Sequence, residues 1–67
     1  SGDRKRLIQL ALKKAGFYKG PIDAKIGPQT KKAIKKFQRA HSLKPDGIVG
    51  PKTWKALSEY LKNIEDR

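Results

Sequence analysis

The segment Asp23-Ala24-Lys25-Ile26-Gly27-Pro28-Gln29-Thr30-Lys31-Lys32-Ala33-Ile34 recurs as Asp46-Gly47-Ile48-Val49-Gly50-Pro51-Lys52-Thr53-Trp54-Lys55-Ala56-Leu57. The offset is 23 (46 − 23), and the match continues with Phe37 against Tyr60. Gly27 and Gly50 open backbone angles closed to other residues, and the prolines after them have φ preset for a first helical position, where no N–H partner is needed. Asp23 and Asp46 suit turns, because a carboxylate accepts from the backbone N–H two residues on. Each copy therefore reads as a loop that launches a helix, and Asp23, Gly27, Pro28, Asp46, Gly47, Gly50 and Pro51 form its structural motif.

Working outward, the first launched helix is expected from Pro28 to Ala40 or His41. Thr30, Ala33, Ile34, Phe37 and Ala40 make its apolar stripe, and Lys31, Lys32, Lys35, Lys36 and Arg39 make an almost wholly basic outer face. The second runs from Pro51 to about Asn63, with Trp54, Leu57, Leu61 and Ile64 at helical spacing and Tyr60 beside them. Between the two, Leu43 is the apolar anchor of the connection. Upstream, Asp3 can cap a helix from Arg4 to Ala15 whose stripe is Leu7, Ile8, Ala11, Leu12 and Ala15, with Gly16 as the stop. The link Phe17-Tyr18-Lys19-Gly20-Pro21-Ile22 is expected to be ordered, with Phe17 and Ile22 plugging the core and Tyr18 an amphipathic ring suited to surface or loop plug alike. The fold class is all-α: a compact three-helix domain, one domain over residues 1–67, with an internal loop–helix repeat. Ser1-Gly2 reads as a cloning remnant, and residues 65–67 as a frayed end.

A chain of 67 residues buries only about 60% of its unfolded surface, so the core is small and a deep substrate pocket is not expected. With no Cys, neither a disulfide scaffold nor a thiolate metal site is available, and one His cannot form a His cluster or a Ser-His-Asp set. His41 is therefore assigned no site, and no metal, cofactor or membrane span is expected. The net charge of +11, from 17 basic against 6 acidic residues, attracts polyanions of any kind. It also favours a monomer through self-repulsion.

These residues resemble a bacterial family. Gly16-Phe17-Tyr18-x-Gly20-x-Ile22-Asp23, Gly27-Pro28-x-Thr30-x-x-Ala33-Ile34-x-x-Phe37-Gln38 and Leu43-x-x-Asp46-Gly47-x-x-Gly50-Pro51-x-Thr53-Trp54-x-x-Leu57 are similar to the type 1 peptidoglycan-binding domain. With Leu7-Ile8-Gln9-x-Ala11-Leu12, the resemblance spans about Leu7 to Leu61. It implies a non-catalytic, extracytoplasmic module, in the cell envelope or secreted, that anchors or targets an attached catalytic or envelope domain on peptidoglycan. Ala24 departs from it, standing where the family has the Gly of Asp-Gly, which leaves open whether the first loop keeps the usual backbone conformation.

Peptidoglycan offers sugar rings with apolar faces, N-acetyl groups and stem peptides carrying carboxylates. A binder of such glycan and peptide needs aromatic surface, amide-like hydrogen bonders and positive potential. The contact candidates are Tyr18, Gln29, Thr30, Lys52, Thr53 and Trp54, with the two helix N-termini facing a shared shallow groove beside Tyr18. Each has a plainer reading: Tyr18 as a loop plug, Trp54 as a core residue with an exposed edge, Thr30 and Thr53 as loop-closing hydroxyls. Asp23 and Asp46 invite comparison with the paired carboxylates of glycoside hydrolysis, but equivalent places in a repeated turn make them structural. Anionic wall polymers are a further partner, and the alternative function is a basic module binding nucleic acid or a protein. The nine or so residues between the last two helices weigh against nucleic acid, since a helix-turn-helix uses a turn of 3–4 residues.

Overall fold

The computed structural model describes residues 2–65, which form three helices and, among those residues, no strand. They are α1 (Gly2–Lys14), α2 (Pro28–Ala40) and α3 (Pro51–Glu65). Both repeat helices start at the proline. In α1, Asp3 lies inside the first turn rather than capping it, where its charge still meets the positive end of the helix dipole. Glu65 belongs to α3, while Ser1, Asp66 and Arg67, which bear on the expected remnant and frayed end, lie outside the described residues.

The core is Ile8, Ala11 and Leu12 from α1, Tyr18 from the first link, Ala33, Ile34 and Phe37 from α2 and Leu57 from α3. Phe37 sits at its centre. Phe17 and Tyr60 meet its ring edge-on at 5.9 and 5.7 Å, and His41 stacks on it at 4.0 Å. In the first link Tyr18 is the plug, buried at 5% exposure, whereas Ile22, expected in the core, is exposed. The reason is polar satisfaction, since the Tyr18 hydroxyl donates to the Pro21 carbonyl at 2.7 Å, which lets the whole ring go inside. An added Cβ at Gly20 would lie 2.7 Å from that hydroxyl, so the glycine makes room for the ring.

Helices α1 and α2 both close with paired bonds that reverse the chain. Gly16 N–H donates to Lys13 O and Phe17 N–H to Leu12 O after α1; Ser42 N–H donates to Arg39 O and Leu43 N–H to Gln38 O after α2. Gly16 (φ 88°) and Ser42 (φ 58°) take the left-handed position, and Phe17 and Leu43 follow as the apolar anchors.

The loops themselves are templated by two buried glutamines. Gln38, 1% exposed, takes a place on the α2 stripe that Ala40 was expected to fill. Its Oε1 accepts from Gly47 N–H at 3.0 Å, while its amide hydrogens are shared among Asp46 Oδ1, the Ile48 carbonyl and Thr53 Oγ1 at 3.0 to 3.1 Å. Gln9, fully buried on α1, does the same for the first loop. Its Oε1 accepts from Ala24 N–H at 2.9 Å, and its Nε2 donates to Asp23 Oδ1 and the Lys25 carbonyl at 3.1 and 2.9 Å. Thr30 Oγ1 also donates to that carbonyl.

The equivalence extends to the backbone, and Ala24 holds φ 67° against 75° at Gly47, so the first loop keeps its conformation despite the missing glycine. Such an alanine costs about 1–2 kcal/mol, which the Gln9 bonds offset. Positive φ is thus required after each Asp, whereas Gly27, at φ −92°, is ordinary extended backbone before a proline.

Asp23 accepts from Lys25 N–H and Asp46 from Ile48 N–H, each at 2.9 Å. These backbone donors, followed by the glutamine amides, hold both carboxyls below their ordinary value of 3.8. Because the folded state prefers the ionised form, this contribution is present above pH 3.8 and is lost as pH falls below it. Stability measured by denaturant should therefore decline below about pH 4, and Asp23→Asn/Asp46→Asn should flatten that decline. At neutral pH, Gln38→Leu should destabilise by about 2–4 kcal/mol, since it orphans Gly47 N–H and the Ile48 carbonyl. Exposed Gln29→Leu should stay within about 0.5 kcal/mol.

Candidate functional site

The structure divides the six contact candidates into two groups. Tyr18, Thr30 and Thr53 are buried, at 5%, 2% and 5% exposure, and their hydroxyls serve the loops described above. Their geometry matches the plainer reading of each. Gln29 and Lys52 are exposed on the first turns of α2 and α3, and Trp54 is half-buried. The outer face of Trp54 is covered by Arg4, whose guanidinium carbon lies 4.7 Å from the ring centroid. That contact joins the first turn of α1 to α3.

Three concavities open near the launch points, and they do not form one shared groove. The first, about 360 Å³, lies at the second loop and the start of α3, where Leu43, Lys44, Ile48, Pro51, Lys52 and Thr53 surround the loop carboxylate Asp46. Its floor is the Gln38 clamp. Ile48 stands out at 68% exposure, because Gln38 and Asp46 bind its backbone carbonyl and N–H while its side chain is turned to solvent. Exposed Pro51 and half-buried Leu43 add to the apolar lining, and exposed Lys44 and Lys52 bring two positive charges to the same concavity.

The other two concavities adjoin each other on α2. One, about 550 Å³, lies between the first link and α2 and is lined by Phe17, Lys19, Gln29, Lys32 and Lys36. The other, about 390 Å³, is lined by Ile26, Gly27 and Pro28 with Lys31, Lys32 and Lys35. Neither shares a lining residue with the second-loop concavity. At the repeat position of Ile48 the first loop carries Lys25.

His41 bridges the end of α2 to α3. Its Nδ1 donates to the Phe37 carbonyl at 3.0 Å, and its Nε2 lies in hydrogen-bond contact with the Tyr60 hydroxyl at 3.1 Å. Both nitrogens are thus engaged in the fold. Among the described residues no group of three His, Cys, Asp or Glu side chains could hold a metal ion, and no helix is long and apolar enough to cross a membrane.

Gln9 and Gln38 of the clamps, and Lys44 and the exposed Ile48 of the second-loop concavity, are not among the contact candidates read from the sequence. A signal for the glutamines existed in Ile8-Gln9-x-Ala11 and Phe37-Gln38-x-Ala40, which repeat at an offset of 29 (38 − 9) rather than 23. Of the six-residue difference (29 − 23), three come from the longer first connection, residues 15–27 against 41–50, and three from Gln9 lying five residues before the end of α1 where Gln38 lies two before the end of α2.

Comparison with known proteins places these features in a family. Residues 1–57 match the sequence model of the family described as "Putative peptidoglycan binding domain". The chain is 48% identical over 58 residues to an uncharacterized protein of Kitasatospora aureofaciens, covering 85% of this chain and 49% of that protein. It is 41% identical over 56 residues to the N-acetylmuramoyl-L-alanine amidase CwlM of Mycobacterium tuberculosis, covering 84% of this chain and 14% of the amidase. With the N-acetylmuramoyl-L-alanine amidase CwlL of Bacillus licheniformis it shares 44% identity over 63 residues, covering 85% of this chain and 18% of that enzyme. The chain therefore spans less than half of each of these relatives, and no solved structure matches it. With the family matched over most of its length and the helices and loops in place, this chain belongs to the peptidoglycan-binding domain family.

Proposed function

We propose that this domain binds peptidoglycan without catalysis, through the second-loop concavity, and so holds an attached catalytic or envelope domain on the extracytoplasmic wall polymer. One observation carries the placement: exposed Ile48 lines one concavity together with Leu43, Pro51, Lys44 and Lys52. The apolar surface suits the face of a sugar ring, an N-acetyl methyl or an alanyl side chain. The two ammoniums suit the carboxylates of the stem peptide, and the shallow form suits a polymer that passes across rather than a small molecule that is enclosed. The family supports the ligand, and the wall amidases among the relatives support the role of an accessory to a larger protein.

A non-catalytic reading is consistent with the chemistry of the loops. Asp23 and Asp46 occupy equivalent places in separate turns, each occupied by a backbone N–H and a glutamine amide. Held in their ionised form, neither is set up as a proton donor. The nucleic-acid reading lacks a comparable feature, since ten residues (41–50) separate α2 from α3 where a helix-turn-helix has 3–4.

Sedimentation with purified peptidoglycan stripped of anionic polymers tests this placement. Ile48→Asp should weaken binding about fivefold to tenfold, on the order of 1–1.4 kcal/mol for one apolar contact, with the fold unchanged by circular dichroism because the side chain is exposed. Absence of binding at low salt, or wild-type binding by Ile48→Asp, would sink the proposal.

A further inference from the structure

The basic face of α2 plays no part in the second-loop concavity. Its sequence, PQTKKAIKKFQRA, holds five cations and no acid, and Lys31, Lys32, Lys35, Lys36 and Arg39 are all exposed. Among the described residues the one ion pair joins Lys62 to Glu59 on α3, so the α2 cations have no acidic partner there. Their face is also shaped. The concavity holding Lys19, Lys32 and Lys36 adjoins the one holding Lys31, Lys32 and Lys35, and Lys32 belongs to both.

We propose that this face is a second binding surface, for a flexible phosphodiester polymer of the cell envelope, which lies through the two concavities and across Lys32. Three features favour that occupant. Lys31 and Lys35, like Lys32 and Lys36, are separated by one helical turn, about 6 Å along the axis. A chain with a six-bond repeat between phosphates extends by about 7 Å per repeat, judged from the 3.8 Å spanned by three backbone bonds, so successive phosphates meet successive lysines. The concavities, at about 390 and 550 Å³, are of a size to admit single groups of a bending strand. Finally, the stem of Lys35 is laid against the second loop: a Cβ added at Gly47 would lie 3.2 Å from Lys35 Cε. That packing reduces the rotamer freedom lost when its ammonium pairs with a phosphate.

The surface and the peptidoglycan site are independent in residues, so one experiment reads both. Binding is measured to two preparations of wall, one retaining its phosphodiester polymer and one freed of it by hydrofluoric acid, at about 100 mM salt, near the physiological range. Wild-type protein should bind the polymer-bearing wall at least threefold better. Lys32→Gln/Lys36→Gln should lose that increment and reduce the log–log salt slope by about 1.4, at about 0.7 per neutralised phosphate on a single strand. Lys13→Gln/Lys55→Gln, of equal net charge and on other faces, should keep the increment. The proposal is overturned if wild type shows no increment, if the two double variants lose it equally, or if duplex DNA competes as well as the soluble polymer at equal phosphate. Binding to the stripped wall reports separately on the second-loop site, and its loss with the increment intact would count against that site alone.

Discussion

Two buried carboxamides hold this fold in its working form. A loop between helices must satisfy its own backbone donors and acceptors, and in a domain this small there is little apolar burial to compensate for one left unpaired. Gln9 and Gln38 meet that requirement by presenting an oxygen to the N–H after the turn aspartate and a nitrogen to the aspartate and the carbonyl beyond it. The aspartates add a bond to the next N–H, and the left-handed residue between them, Ala24 or Gly47, gives the loop its direction. Loop shape is thereby fixed from the helix beneath together with the loop's own aspartate and left-handed residue.

With conformation fixed from below, the outward side chains are free to differ. The first copy turns lysines outward, Lys25 in the loop and Lys31, Lys32 and Lys35 on the helix after it. The second turns Ile48 outward and places Trp54 at the position of Lys31, where the ring packs under Arg4. One scaffold used twice gives one largely cationic face and one amphipathic face. A wall polymer presents both kinds of chemistry, which is why the asymmetry of the copies says more about function than their symmetry.

The two repeat helices and their starts were readable in the sequence because Gly-Pro, apolar spacing and the 23-residue repeat all act locally, whereas α1 begins before the Asp3 expected to cap it. The family resemblance was equally readable, since its motifs are the same loop and launch residues. Tyr18 was not readable: its ring suits surface and core alike, and only the Pro21 carbonyl and the space above Gly20 decide between them. The glutamines were hidden for a related reason. A polar residue next to Phe37 or Ile8 on a helix looks solvent-facing until its partners, 8 to 16 residues away, are brought in by the fold. Ile48 was hidden too, because an aliphatic residue in a repeat is naturally assigned to the core, whereas its backbone is what the clamp holds.

That a clamp-supported second loop meets the wall is the central claim, and a titration with a soluble muropeptide followed by amide chemical shifts tests it most directly. Progressive shifts are expected at Leu43, Lys44, Ile48 and Lys52, with Lys5 and Lys13 on α1 unmoved. Shifts confined to α1 or to the first loop, or none at millimolar ligand, would contradict it.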